Sequence, residues 1–209
     1  MYKPERVFSW MIHPVVIVLY VVALVLCYIY FDKAIAVYFY QMDLRQFAWL
    51  SVVSLLGKWQ IASFLLFIMA LYFHFFRPKS VWKNRSWFLF LCVIITNILA
   101  SVLKLVLGRA RPDLWIDAHL YGFYWFKFHR PYWSFPSGHT TTIFSLVAGL
   151  SIIFPRYLWL FFIAGLCIVS TRILLYHHYL SDVLSTLYLT VIEVGLLKYF
   201  LNQKHALKI

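Results

Sequence analysis

The sequence is poor in charged residues, which make up only 12% of its 209 positions. Soluble domains average about 25% charged residues and about half apolar ones, whereas 64% of this chain is hydrophobic and 21% is aromatic. The mean hydropathy is accordingly high, at +0.80. This balance excludes an ordinary soluble domain and indicates an integral membrane protein.

Cysteine is also scarce. The three cysteines, Cys27, Cys92 and Cys167, lie inside apolar runs and have none of the spacings that metal-binding cysteines show. They are interpreted as small buried hydrophobic side chains. The sequence has no internal repeat, no low-complexity tract and no small-residue cleavage site after its first apolar run. We therefore expect a single domain over 1–209 and a first helix that is retained.

Six apolar runs approach the length of about 20 residues that a membrane-spanning helix needs. They lie at about 11–31, 60–76, 86–107, 139–154, 157–176 and 180–200. The predicted fold class is therefore all-α, an integral membrane bundle of six transmembrane helices. A shorter apolar segment at 45–57 either extends the second span or lies along the interface.

The net charge of +12 comes from basic residues in short loops between the apolar runs, a pattern typical of membrane orientation. No nucleic-acid partner is expected. One loop concentrates Arg77, Lys79, Lys83 and Arg85. The other basic residues assigned to the same side are Lys3, Arg6, Arg156, Lys198, Lys204 and Lys208. Nine basic residues are assigned to the opposite side. Three of the nine, Lys104, Arg111 and Arg172, belong to a candidate site, which leaves ten against six. Both termini are therefore predicted to be cytoplasmic.

The first of three polar clusters on the opposite face is Lys104 with Arg111 and Pro112, at the end of the third run. Lys104 and Arg111 are two helical turns apart, and proline disfavours helix at the residue before it. The helix is therefore expected to end at Arg111, with both cations on one stripe. Taken alone, the pair is equally consistent with cations that snorkel at a helix end.

The second cluster is residues 134–139, with the sequence SFPSGH, immediately before the fourth run. Ser137 is in the position of a helix N-cap, so the N–H groups of Ser137, Gly138 and His139 would point out of the positive end of a helix. Such an end binds phosphate, and the imidazole of His139 can donate a proton near neutral pH. The alternative is a capped membrane helix with an incidental interfacial histidine.

The third cluster is Arg172, His178 and Asp182, across the turn between the fifth and sixth runs. His178 and Asp182 are four residues apart and can meet on one helical turn or in a tight loop. The alternative is an interfacial turn rich in tyrosine and histidine, as aromatic belts favour. Three unrelated polar clusters would rarely fall at one membrane depth by chance, so a shared anion site is the favoured interpretation.

In order and spacing, K-x6-R-P, P-S-G-H and R-x5-H-x3-D resemble the type 2 phosphatidic acid phosphatase family, whose members share a site with vanadium haloperoxidases. The resemblance covers about 104–182 and departs at Thr171, where the family usually has serine. It implies that His178 attacks phosphorus to form a phosphohistidine, that Asp182 holds one ring N–H of this histidine, and that His139 protonates the leaving alkoxide.

Residue chemistry supports the same roles, because phosphoryl transfer requires cations and N–H donors around the phosphate oxygens. Lys104, Arg111 and Arg172 supply the positive charge, and the Ser137 hydroxyl and the Gly138 N–H add donors. These five are the predicted phosphate-binding residues. No metal and no other cofactor is expected.

Other side chains offer alternatives to these assignments. His139, His178 and Asp182 have the ligand types of a metal site, but three adjacent cations argue against one. His177 competes with His178, which only its spacing from Arg172 and to Asp182 favours. Glu193 lies about 16 Å along the last helix from Asp182 and is expected to face the bundle.

Residues 112–135 form an aromatic loop suited to lipid headgroups, which favours a substrate with an acyl or prenyl tail. The candidates are phosphatidic acid, phosphatidylglycerophosphate, an undecaprenyl (pyro)phosphate and a lipid A phosphate. A lipid phosphatase in a bacterial inner membrane, active on the periplasmic or outer face, is the leading hypothesis. A lipid-to-lipid phosphotransferase and an anion transporter or binding protein are the alternatives, and the oligomeric state stays open.

Overall fold

The computed structural model describes residues 4–203, with side chains from residue 8 onward, and within that range it is an all-α protein. A π-helical turn, Cys27–Phe31, joins the second and third helices. The helices are α1 Pro4–Met11, α2 Pro14–Leu26, α3 Asp32–Met42, α4 Ala48–Leu55, α5 Trp59–Phe75, α6 Trp82–Leu107, α7 Pro112–Ala118, α8 Gly138–Ile153, α9 Leu158–Leu174 and α10 Leu180–Gln203.

An integral membrane bundle is confirmed, but the count of six spans is not. Over the described residues, four stretches are long and apolar enough to cross a membrane: Pro14–Met42, Trp82–Leu107, Pro155–Leu174 and Leu180–Gln203. The pair α4 and α5, bent by 41°, gives a fifth if it is one span. The remaining predicted span, α8, is apolar but has only 16 residues.

Helix α8 forms the centre of the bundle, where it packs against α6, α9 and α10. A helix surrounded by other helices is apolar on every side, and 10 of the 16 residues of α8 are buried. Its C-terminal end and its middle lie in two hydrophobic clusters. One cluster contains Phe88, Leu89, Cys92, Ile153 and Val194. The other contains Ile143, Phe144, Val147, Val169 and Val183. This packing brings the N-terminal end of α8 close to residues of the surrounding helices.

The end of α6 differs from the prediction. The helix ends at Leu107, because Gly108 adopts a left-handed conformation with φ of 55° that favours glycine. Arg109 then forms an isolated antiparallel bridge with Phe123. Arg111 is extended before Pro112, which begins α7. The predicted common helical stripe of Lys104 and Arg111 is therefore wrong.

The apolar segment predicted at 45–57 contains the separate helix α4, which packs against α9 and meets α5 at the 41° bend. The structure describes only some of the basic residues on which the predicted orientation depends. Lys3, Lys204 and Lys208 and the side chain of Arg6 lie outside the described residues.

Candidate active site

The three predicted clusters converge where the first turn of α8 meets the last turns of α6 and α9 and the turn before α10. The ammonium of Lys104 lies so close to Gly138 that a Cβ at this position would be 3.3 Å from Nζ. Arg111, Arg172 and Lys104 all act electrostatically on His178. The proposed catalytic and phosphate-binding residues therefore share one site, although they come from four parts of the chain.

His178 is 3% exposed, and its ring orientation is set by one backbone group. Its Nδ1 lies 2.6 Å from the carbonyl oxygen of Ser134. Because a carbonyl only accepts hydrogen bonds, Nδ1 must carry the proton, which leaves a lone pair on Nε2. Burial, together with the charges of Arg111 and Arg172, lowers the pKa of His178 well below its usual value. A neutral imidazole with an available nitrogen is the form that a nucleophile requires.

Asp182 does not hold His178 in the way that the resemblance implies. The distance from Asp182 Oδ2 to His178 Nδ1 is 3.8 Å, which is beyond hydrogen-bond range. Oδ2 instead accepts hydrogen bonds from the Ser134 hydroxyl at 2.6 Å and from the Tyr179 N–H at 3.0 Å. Asp182 therefore acts on His178 indirectly, by fixing the residue whose carbonyl binds the imidazole.

Three buried donors at the site have no hydrogen-bond partner among the described residues: Arg111 Nε, Arg172 Nε and Ser137 Oγ. Buried polar groups are ordinarily paired, so these atoms are available to an anion. The backbone of Ser137 is not, because its N–H donates to Thr186 Oγ1 at 2.9 Å. Gly138 and His139 occupy the first turn of α8, where an N–H has no helical acceptor.

The competing histidine, His177, has a different environment. Its Nδ1 lies 3.3 Å from Nη2 of Arg45, and the same Nη2 donates to Asp113 at 2.8 Å. Burial, followed by the charges of Arg172 and Arg45, lowers the pKa of His177 to about 3. Since Arg45 can only donate, Nδ1 of His177 is the acceptor in this contact. This engagement favours His178 over His177 as the nucleophile.

A buried ionic group lies next to the site and is not among the residues that the sequence motifs predict. Arg109 is 2% exposed and binds Asp182 at 2.5 Å and Asp32 at 2.7 Å. Burial alone lowers the pKa of Arg109, but Asp182 and Asp32 outweigh it and raise this pKa. Asp32 also accepts the Ser181 N–H at 2.9 Å. The available signal was Asp32 itself, because an aspartate beside an apolar run of spanning length requires a partner.

Among the residues that the structure describes, no group of three or more histidine, cysteine, aspartate or glutamate side chains is arranged to hold a metal ion. Glu193 is partly buried on α10. Metal independence and the role of Glu193 stay predictions.

Comparison with known sequences defines the class of the protein. Residues 85–206, more than half of the chain, match the PAP2 superfamily. The chain belongs to this superfamily, and the resemblance seen in its motifs is confirmed.

Two curated relatives are lipid A 1-phosphatases. The one from Rhizobium johnstonii is 39% identical over 114 residues, covering 53% of this chain and 47% of the relative. The one from Rhizobium etli is 38% identical over 114 residues, covering 53% and 49%. The chain thus spans about half the length of the curated relatives it matches. No solved structure matches it.

Proposed function

We propose that this protein is a membrane lipid phosphatase that removes phosphate from a lipid headgroup through a phosphohistidine at His178, without a metal ion. The observation that carries the proposal is the bond from His178 Nδ1 to the Ser134 carbonyl. It leaves the Nε2 lone pair available in a site that also contains unpaired donors of Arg111 and Arg172. Membership of the superfamily supports the same chemistry.

In the proposed reaction, Nε2 of His178 forms a bond to phosphorus while the bond from phosphorus to the lipid oxygen breaks. The electron pair leaves with that oxygen, which takes a proton from His139. Lys104, Arg111 and Arg172 stabilise the negative charge of the transferring group. Water then attacks phosphorus and gives a proton to His139 as the N–P bond breaks. Phosphate is released, and Nε2 regains its lone pair.

A lipid substrate is supported by the aromatic loop between α7 and α8. Phe123, Trp125, Phe126 and Phe128 are 39%, 55%, 65% and 66% exposed, and aromatic side chains are enriched at the level of lipid headgroups. The two relatives make the 1-phosphate of lipid A the first candidate substrate. Phosphatidic acid, phosphatidylglycerophosphate and undecaprenyl pyrophosphate are the others. The proposed location is a bacterial inner membrane, with cytoplasmic termini and the site on the outer face.

The test is phosphate release by detergent-purified protein from each of these four lipids, supplied singly. We expect hydrolysis without added metal and in the presence of a chelator. His178→Ala should be inactive and form no acid-labile phosphoenzyme in a rapid quench. His139→Ala should lose about 10²–10⁴-fold on the lipid but recover much of its rate on p-nitrophenyl phosphate, whose leaving group needs no proton.

His129→Ala is the matched control, because His129 is an exposed histidine in the loop between α7 and α8. This variant should behave as wild type. A phosphoenzyme that persists in His178→Ala would contradict the assignment of the nucleophile. Transfer of labelled phosphate to an added acceptor lipid instead of water would establish the phosphotransferase alternative.

A further inference from the structure

The bend between α4 and α5 lies at the candidate active site, although it is outside all three motifs and outside the segment that matches the superfamily. Helix α4 packs against α9, which carries Arg172, and α5 packs against α8, which carries His139. The two helices meet at 41° over a break of three residues, 56–58. The bend therefore touches both the predicted phosphate-binding cluster and the predicted general acid.

Ser54, in the last turn of α4, is 4% exposed and binds Arg172 directly. Nη1 of Arg172 donates to Ser54 Oγ at 2.6 Å. Over the described residues Arg172 forms no ion pair, and its buried Nε has no partner. Ser54 thus fixes one nitrogen of the guanidinium while Nε is left for another acceptor, such as a phosphate oxygen.

Gly57, within the bend, is buried and lies against the imidazole of His139. A Cβ at position 57 would be 2.7 Å from Cδ2, 2.8 Å from Cβ and 3.0 Å from Cγ of His139. Packed atoms do not tolerate separations this short, so a side chain at position 57 would force a neighbouring group to move. The Cβ of His139 is fixed by the backbone of α8 and cannot swing aside as a side-chain tip would. The absence of a side chain at Gly57 is therefore required for His139 to occupy its place.

We propose that Ser54 and Gly57 are positioning residues of the active site, with Ser54 orienting Arg172 toward the phosphate and Gly57 setting the position of His139 beside the leaving group. The inference rests on the proposed phosphatase function. The two residues act through different partners, so their replacement should produce different kinetic defects.

Gly57→Ala should impair proton donation selectively. We expect turnover of the lipid phosphate to fall by about tenfold or more, part of the 10²–10⁴-fold that a general acid contributes. Turnover of p-nitrophenyl phosphate should fall much less.

Ser54→Ala should instead weaken inhibition by orthovanadate, a phosphate mimic, by about tenfold, the scale of one hydrogen bond to a charged group. Its losses on the lipid and aryl substrates should be equal.

Ser51→Ala is the matched control, since Ser51 lies on the exposed side of α4 one turn before Ser54. It should leave both substrates and orthovanadate inhibition unchanged. If Gly57→Ala yields little folded protein, the double variant Gly57→Ala/His139→Gly decides, because removal of the His139 side chain removes the clash. The double variant should regain the folded yield and the kinetics of His139→Gly alone.

Equal losses on both substrates in Gly57→Ala, or additive losses in the double variant, would contradict the role of Gly57. Behaviour of Ser54→Ala like that of Ser51→Ala would contradict the role of Ser54. Either result, with an active wild-type enzyme, overturns this inference and leaves the phosphatase function standing. A wild-type protein that releases phosphate from no substrate overturns both.

Discussion

The protonation state of His178 depends on the interior of the protein rather than on the substrate. The Ser134 carbonyl fixes the proton on Nδ1, and burial with the neighbouring cations disfavours a second proton on the ring. The proposed nucleophile is therefore neutral before a phosphate binds. This arrangement lowers the stability of the folded protein in acid, because the folded protein excludes a proton that the unfolded chain accepts.

We expect this exclusion to make stability depend on pH below about 6.5, the ordinary pKa of histidine. Above that pH, His178 is neutral in both the folded and the unfolded state and contributes nothing to the pH dependence. Below it, only the unfolded chain binds the proton, so the free energy of unfolding falls by up to about 1.4 kcal/mol per pH unit. The melting temperature in phosphate-free detergent buffer should be level from pH 8 to 7 and should fall toward pH 5.

His178→Gln should reduce that fall, because glutamine does not titrate. His129→Gln should leave it unchanged, since His129 is exposed. A fall of the same size in His178→Gln as in the wild type would mean that other groups carry the acid sensitivity. His177, whose pKa is lowered to about 3, would then be the next residue to replace.

Residue by residue, the sequence predicts the side chains that share a motif and misses those that join distant segments. Lys104, Arg172 and His178 could be selected because charge and spacing mark them. Ser134 lies in the second cluster, but the contact of its carbonyl with His178 is not indicated by its residue type. Ser54 lies outside every motif, and its partner is 118 positions away. Such contacts depend on tertiary packing, which spacing along a chain does not encode.

At the level of helices, Arg109 connects the start of α3 to the first turn of α10 through Asp32 and Asp182. We expect Arg109→Met to remove most of the folded protein, because loss of one partner from a buried ionic group costs about 3–5 kcal/mol. Arg111→Met should leave the melting temperature in detergent nearly unchanged while turnover falls by orders of magnitude. The folded yield and melting temperature of the two variants provide the comparison.

Asp32→Asn is the control for this prediction, since it leaves the pair of Arg109 with Asp182 intact and should destabilise the protein less than Arg109→Met. Equal folded yields of Arg109→Met and Arg111→Met would show that the buried group is dispensable for folding. It would then be better explained as part of the chemistry.

The helices themselves were predicted more accurately than their ends. A helix occupies each of the six predicted apolar runs, because runs of this length and hydropathy have few other solutions in a bilayer. Helix α6 ends four residues before the predicted end at Arg111, because the left-handed conformation of Gly108 ends the helix ahead of Pro112. For the segment at 45–57 the sequence predicts an extension of the second span or an interfacial segment, because the eight residues of α4 are too few for a spanning pattern of their own.

For the whole molecule, the orientation in the membrane stays a prediction from the basic residues. Lys79 lies in the loop between α5 and α6, and Ala118 ends α7 on the side of the candidate site; both are exposed. Ala118→Cys should react with an impermeant thiol reagent added to intact cells with a permeabilised outer membrane. Lys79→Cys should react only after the inner membrane is opened.

Wild-type protein is the control for the three native cysteines, of which Cys167 is exposed on α9. Labelling of Lys79→Cys, and not of Ala118→Cys, in intact cells would reverse the orientation and place the chemistry in the cytoplasm.

The buried trio of Arg109, Asp32 and Asp182 also limits the order in which evolution can replace its members. Arg109 pairs with both aspartates in a place that water does not reach, so its loss leaves two buried carboxylates without their cation. A lineage cannot easily lose Arg109 first without passing through a poorly folded ancestor, whereas loss of Asp32 first leaves the pair of Arg109 with Asp182. We therefore expect related sequences to keep Arg109 wherever they keep both aspartates, although Asp32 and Asp182 lie 77 and 73 residues from it along the chain.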